Sequence, residues 1–170
     1  MNTELIKKIE AAFAGVPPGV VGIRQAFAFD SLKPGDLHEN PKLYREACEG
    51  DQREKDWREI PDELIAKASV FPFLDDAGFK FVLPAVLHWG VRIDFDLARD
   101  RNFILEALVY RLLPERRKAD KPDVLAQRWK LTQDQIAVLI EWIDIYLSKT
   151  GKLLSALKSQ QLERWRTLAK

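Results

Sequence analysis

Apolar residues recur every three or four positions along most of the chain, the period that gathers them on one face of a helix. Leu5, Ile6, Ile9, Ala12 and Phe13 set the first such face. Thr3 and Glu4 open it, and Gly15, Pro17 and Pro18 stop it, which predicts a helix over about residues 3 to 14. GVVGIRQAFAFD, residues 19 to 30, departs from that period. Val20, Val21, Ile23, Phe27 and Phe29 are β-formers between Gly and Asp punctuation and predict the one extended segment. SLKPGD reads as a turn, and Asn40 followed by Pro41 reads as a helix start leading through KLYREACEG. EGDQREKD, residues 49 to 56, reads as a solvated loop. In WREIP, Asp56 can cap a short turn and Pro61 can open a helix through Leu64, Ile65 and Ala68.

Asp75 and Asp76 place negative charge at the start of GFKFVLPAVLHWG, residues 78 to 90, which is apolar on every side. Proline inside a helix costs about 3 kcal/mol, so Pro84 predicts two pieces: one from about Asp76 to Val82, the other beginning at Pro84. Residues 99 to 113 are apolar around most of the circumference and predict a buried helix. PERRKADKPD, residues 114 to 123, is the longest polar connection. Thr132 and Gln135 then form a capping box. Behind it, Ile136, Leu139, Ile140, Ile143 and Leu147 form one apolar face and Val138, Trp142 and Ile145 a second, so this helix must be covered twice. Thr150 and Gly151 end it. A last amphipathic helix follows, with Leu154, Leu157, Trp165 and Leu168 along one side and Lys152, Lys158, Arg164, Arg166 and Lys170 around it.

Together these elements predict a mainly α, compact single-domain bundle of about six to eight helices, with a minor extended segment near residues 19 to 30. The core domain is expected over residues 1 to 149, and the amphipathic helix of 150 to 170 is expected to pack on it. The chain of 170 residues, 46% of them apolar, is long enough to bury a sizeable core. One cysteine, Cys48, excludes a disulfide framework and a thiolate zinc cage, and points to the cytoplasm. MNTELIKKIEAAF has charges too frequent for a secretory signal or a membrane span. Net charge is +1, split into −5 over residues 1 to 100 and +6 over 101 to 170. Such halves favour mutual attraction, or an asymmetric protein partner, over nucleic acid.

The order of signals, AAF, WREIP, GFKFVLPAVL and LTQDQIAVLIEWI, resembles a family of bacterial proteins known only as a domain of unknown function. Its members share a W-x-x-I/L-P turn, a G/A-F-[RK]-[FY]-x-L-P-A segment and an L-T-x-x-Q helix. The similarity covers roughly residues 1 to 147. The resemblance implies a compact, mainly helical cytoplasmic domain and carries no catalytic residues across. GVVGIRQAFAFDS is longer and more apolar than the family pattern, and the segment from Thr150 extends past it.

His38 and Glu39, with Glu46 two turns on, are candidates for acid–base work, and His38 with His88 for metal ligation, because a neutral imidazole beside carboxylates suits both. On an apolar segment His88 is more simply a core residue held by one hydrogen bond. Cys48 stands among glutamates, which disfavour a thiolate. No G-x-S-x-G elbow, phosphate-binding glycine loop or H-E-x-x-H pattern is present. Trp57 reads as a cover on the core, or as an exposed anchor for a partner. Arg58 and Glu59 read as an exposed pair. Arg116 and Arg117 in their polar loop, and Trp165 on the last helix, are further candidates for binding. The expectation is an interaction module without a cofactor, binding another protein, with a homodimer admitted and nucleic acid and membrane disfavoured. Its rival is a small hydrolase using His38 and Glu39, with or without a metal. An enzyme should gather its side chains in a concave pocket, and a module should expose an apolar or charged patch.

Overall fold

Residues 2–31, 41, 54–66, 71–100, 103–114 and 121–170 are described by the structure, a computed structural model. Helix α1 (Thr3–Ala12) is capped one residue earlier than Thr3, by the side chain of Asn2, which accepts from Leu5 N at 3.1 Å. Helix α2 (Ile23–Ser31) occupies the stretch predicted as extended. Its period explains the correction. Ile23 and Ala26 are buried and Phe27 is partly buried, which is helical spacing, and one face against the core outweighs the β-propensity of individual residues. No strand occurs among the described residues.

Helix α3 (Asp62–Ile65) is a single turn after Pro61. Helix α4 (Asp76–Arg92) runs unbroken through Pro84, where two pieces were expected. The proline removes the N–H that would reach the Lys80 carbonyl, a loss of about 3 kcal/mol. Against it stand Phe79, Val82, Leu83, Val86 and Leu87, all fully buried, each contributing about 1.5–3 kcal/mol. Burial therefore wins. Helix α4 is the central element, packing on α1, on α3, on the turn at Trp57–Glu59 and on α5 (Ile104–Leu112). Helix α5 begins later than its apolar pattern suggested, because the buried carboxylate of Asp100 accepts from Ile104 N at 2.8 Å and Leu105 N at 3.0 Å. Removal from water pushes the Asp100 carboxyl above the ordinary aspartate range, against the pull of those two bonds.

Helix α6 (Pro122–Arg128) leads to α7 (Gln133–Thr150), whose capping box is formed as expected: Gln135 N to Thr132 Oγ1 at 3.2 Å, and Thr132 N to Gln135 Oε1 at 3.1 Å. Its two apolar faces are covered by α1 and by α8 (Ala156–Leu168). The last helix packs chiefly on α6 and α7, both in the basic half of the chain. Leu162 and Trp165 are its buried residues, while Leu157, expected on that side, is half exposed.

Three indoles tie distant segments: Trp57 donates to the Phe13 carbonyl at 3.0 Å, Trp142 to Leu87 at 3.0 Å, and Trp165 to Leu112 at 2.8 Å. All five tryptophans are buried. No described helix is long and apolar enough to cross a membrane.

Candidate functional site

WREIP and the end of α4 meet at a small cleft. Asp56 caps the turn at Trp57–Glu59 and accepts from Arg58 N at 2.9 Å, while Glu59 accepts from Lys55 N at 2.8 Å and Asp56 N at 3.3 Å. The expected Arg58–Glu59 pair is therefore not made. Arg58 pairs with Asp56, lowering its carboxyl, and Glu59 serves the backbone. The turn seats Trp57 beneath α4, with its ring edge-on to His88 at 5.9 Å.

His88 is half-buried at the mouth of this cleft, which has a volume of about 260 Å³ and is rimmed by Glu10, Asp62 and Arg92. Its Nδ1 accepts from Arg92 Nε at 3.1 Å, so in the neutral ring the proton sits on Nε2, which faces Glu10 Oε1 at 3.6 Å. Desolvation first, and the Arg92 cation second, hold the imidazole below the usual histidine range, and Glu10 and Asp62 only partly oppose them. Arg92 is in turn paired with Asp62. The cleft is thus a closed set of partners: the imidazole lone pair a base or a metal ligand would need is committed to Arg92. No three His, Cys, Asp or Glu side chains stand close enough together to hold an ion among the described residues.

His38, Glu39 and Glu46, as well as Cys48, Arg116 and Arg117, lie outside the described residues. Trp57 and Trp165 are buried with their indoles bonded, so neither is an exposed anchor.

A different surface stands out, one not read from the sequence. Phe103, Glu106 and Tyr110 follow one another along the outward stripe of α5. Helix α7 ends on Gly151 at φ 64°, and Ser155 caps α8, so residues 152 to 155 cross beside that stripe. Two contacts stitch the segments together: Lys152 Nζ to Glu106 Oε2 at 2.8 Å, and Lys158 Nζ over the Tyr110 ring at 5.4 Å. Four large apolar side chains stand out there. Leu153 is 96% exposed, Phe103 66%, Tyr110 53% and Leu157 51%.

Phe103 carries a second anomaly. Its backbone is left-handed, φ 55° and ψ 30°, a conformation that costs a bulky residue roughly 1–3 kcal/mol.

A family model described as "Family of unknown function (DUF6714)" matches residues 1–167. The match takes in α8, so the segment after Thr150 is part of the family and not an extension beyond it. No curated protein and no solved structure matches the chain.

Proposed function

We propose that this chain, which belongs to that family of unknown function, is a protein-binding module without catalytic activity, working in the cytoplasm. The observation that carries the reading is the patch of Phe103, Tyr110, Leu153 and Leu157, four exposed apolar side chains gathered across two segments. Single exposed leucines are ordinary on a protein surface, but clustered aromatic and aliphatic groups mark interaction sites. The left-handed Phe103 strengthens it. Strain of this kind persists only where the surrounding structure holds it, and it clusters at functional sites. The rival hydrolase rests on His38 and Glu39, which lie outside the described residues, and the histidine that is described, His88, has its Nδ1 taken by Arg92. The cytoplasmic reading rests on the single cysteine.

The test is a photo-crosslinking amino acid placed at Leu153 in living host cells. A discrete adduct with another protein, lost when Phe103 and Tyr110 are both changed to aspartate, supports the reading. No adduct, or one indifferent to those changes, overturns it.

A further inference from the structure

The cleft at His88 holds a ring with one partner on its own helix and a second across on another. We infer that protonation moves the imidazole from the first, Arg92, to the second, Glu10 of α1, which makes the cleft a proton-operated clasp between α1 and α4. The inference is independent of the exposed patch and rests on which atoms can donate.

In the neutral ring Nδ1 accepts from Arg92 Nε at 3.1 Å, and Nε2 carries the one ring hydrogen. That bond joins two residues of α4 and ties nothing to a neighbouring element. Nε2 stands 3.6 Å from Glu10 Oε1, too far for a hydrogen bond and close enough for an ion pair. A second proton can go only to Nδ1. Once it is there, Nδ1–H and Arg92 Nε–H are two donors aimed at each other on two cations, and their bond is lost. Arg92 keeps its place without it, because its guanidinium is also paired with Asp62 of α3.

The imidazolium then has one uncommitted carboxylate in reach. The side chain of Glu10 forms no other hydrogen bond or ion pair among the described residues. Its competitors are engaged elsewhere. Arg58, on the turn beneath α4, is held by Asp56, and Glu59 accepts from the backbone N–H groups of Lys55 and Asp56. Asp62 faces the ring as well, with Arg92 already on it. A charge-assisted bond from Nε2 to Glu10 needs the gap to close to about 2.8 Å, a movement of less than an ångström. The exchange trades a bond inside one helix for a bond between two. Burial and the Arg92 cation set it below the usual histidine range, in mild acid, while Glu10 and Asp62 draw it back toward neutrality.

The test follows the ring nitrogens of His88 by nitrogen-15 NMR in the full chain from about pH 8 to about pH 5, with His38→Gln removing the other histidine signal. At the alkaline end the Nε2–H tautomer should dominate. On acidification Nδ1 should take up the proton, and the amides of Glu10 and its neighbours on α1 should shift with the same midpoint, a response that His88→Gln abolishes. At the parent midpoint, Glu10→Gln should lower the protonated fraction from one half to about a quarter or less, and Arg92→Met should raise it. Both side chains are partly exposed, and an unchanged far-ultraviolet spectrum checks each variant's fold. An Nδ1–H tautomer at alkaline pH, α1 amides that do not follow the ring, or a protonated fraction indifferent to Glu10→Gln would overturn the inference. Should Arg92→Met not fold, the tautomer, the α1 amides and Glu10→Gln decide it without that variant.

Discussion

Gly19 and Gly78 touch through their backbones: a β-carbon on Gly19 would sit 2.0 Å from the amide nitrogen of Gly78. The contact lays residues 19 to 21 across the first turn of α4, where Asp75 Oδ1 accepts from both Gly78 N at 3.0 Å and Val21 N at 3.1 Å. A β-carbon on Gly78 would meet the Val21 carbonyl oxygen at 2.1 Å, and backbone cannot swing aside as a side chain can. Gly78→Ala should therefore cost about 3 kcal/mol in urea denaturation. Gly15→Ala is the control. Nothing lies within 4 Å of its added carbon, so only its φ of 70° opposes alanine, and the cost should be about 1 kcal/mol. Equal losses at the two sites would show that the close approach is not what Gly78 provides.

Leu83 is fully buried beside Pro84 in α4. Leu83→Ala should cost roughly 2–5 kcal/mol, the spread reflecting how far the surrounding side chains close the cavity. A loss under about half a kcal/mol would remove this helix from the centre of the core.

His88 makes stability depend on pH in a defined direction. Its folded pKa is depressed below the unfolded value, so between the two the unfolded chain binds more protons than the folded one. The contribution of His88 is therefore complete above about pH 6.5, the ordinary histidine value, and is lost as the pH falls through and below it. Denaturation midpoints should drop over that interval in the parent chain and less so in His88→Gln. A steeper acid-side drop in the variant would contradict the burial described for the imidazole.

Phe103→Gly separates strain from recognition. The ring is mostly exposed, so little burial is lost, while glycine takes the left-handed backbone without penalty. Thermal unfolding should show a gain of about 1 kcal/mol, and the crosslink at Leu153 should weaken. A variant both less stable and fully able to crosslink would mean that Phe103 serves the fold.

Helices whose caps and apolar period agree were legible from the residues alone. Thr132 and Gln135 announced α7, and its two apolar faces predicted the double cover that α1 and α8 supply. Pro84 and the residues of α2 misled for one reason: local preference was weighed without the burial that overrode it. Asp100 shows the converse, since its role as a buried cap depends on where residues 104 and 105 aim their amides, which no spacing rule encodes. The cleft at His88 was half visible. WREIP and VLHWG were both marked, but that Trp57 would lie edge-on to His88, and that Arg92 would occupy Nδ1, are facts of packing. The exposed patch was invisible because Phe103, Tyr110 and Leu157 look like core residues until the register of α5 and α8 turns them outward.

The five buried tryptophans give the chain an optical character of its own. Every indole is shielded from water, so native emission should be blue-shifted, and unfolding, which brings all five into water, should move it strongly to the red. The rings of the exposed patch itself are Phe103 and Tyr110, which a tryptophan-selective excitation wavelength leaves dark. Intrinsic fluorescence of this protein therefore reports folding first, since neither ring of the patch emits at that wavelength. A tryptophan placed at Leu153, the most exposed of the patch residues, would supply the missing channel.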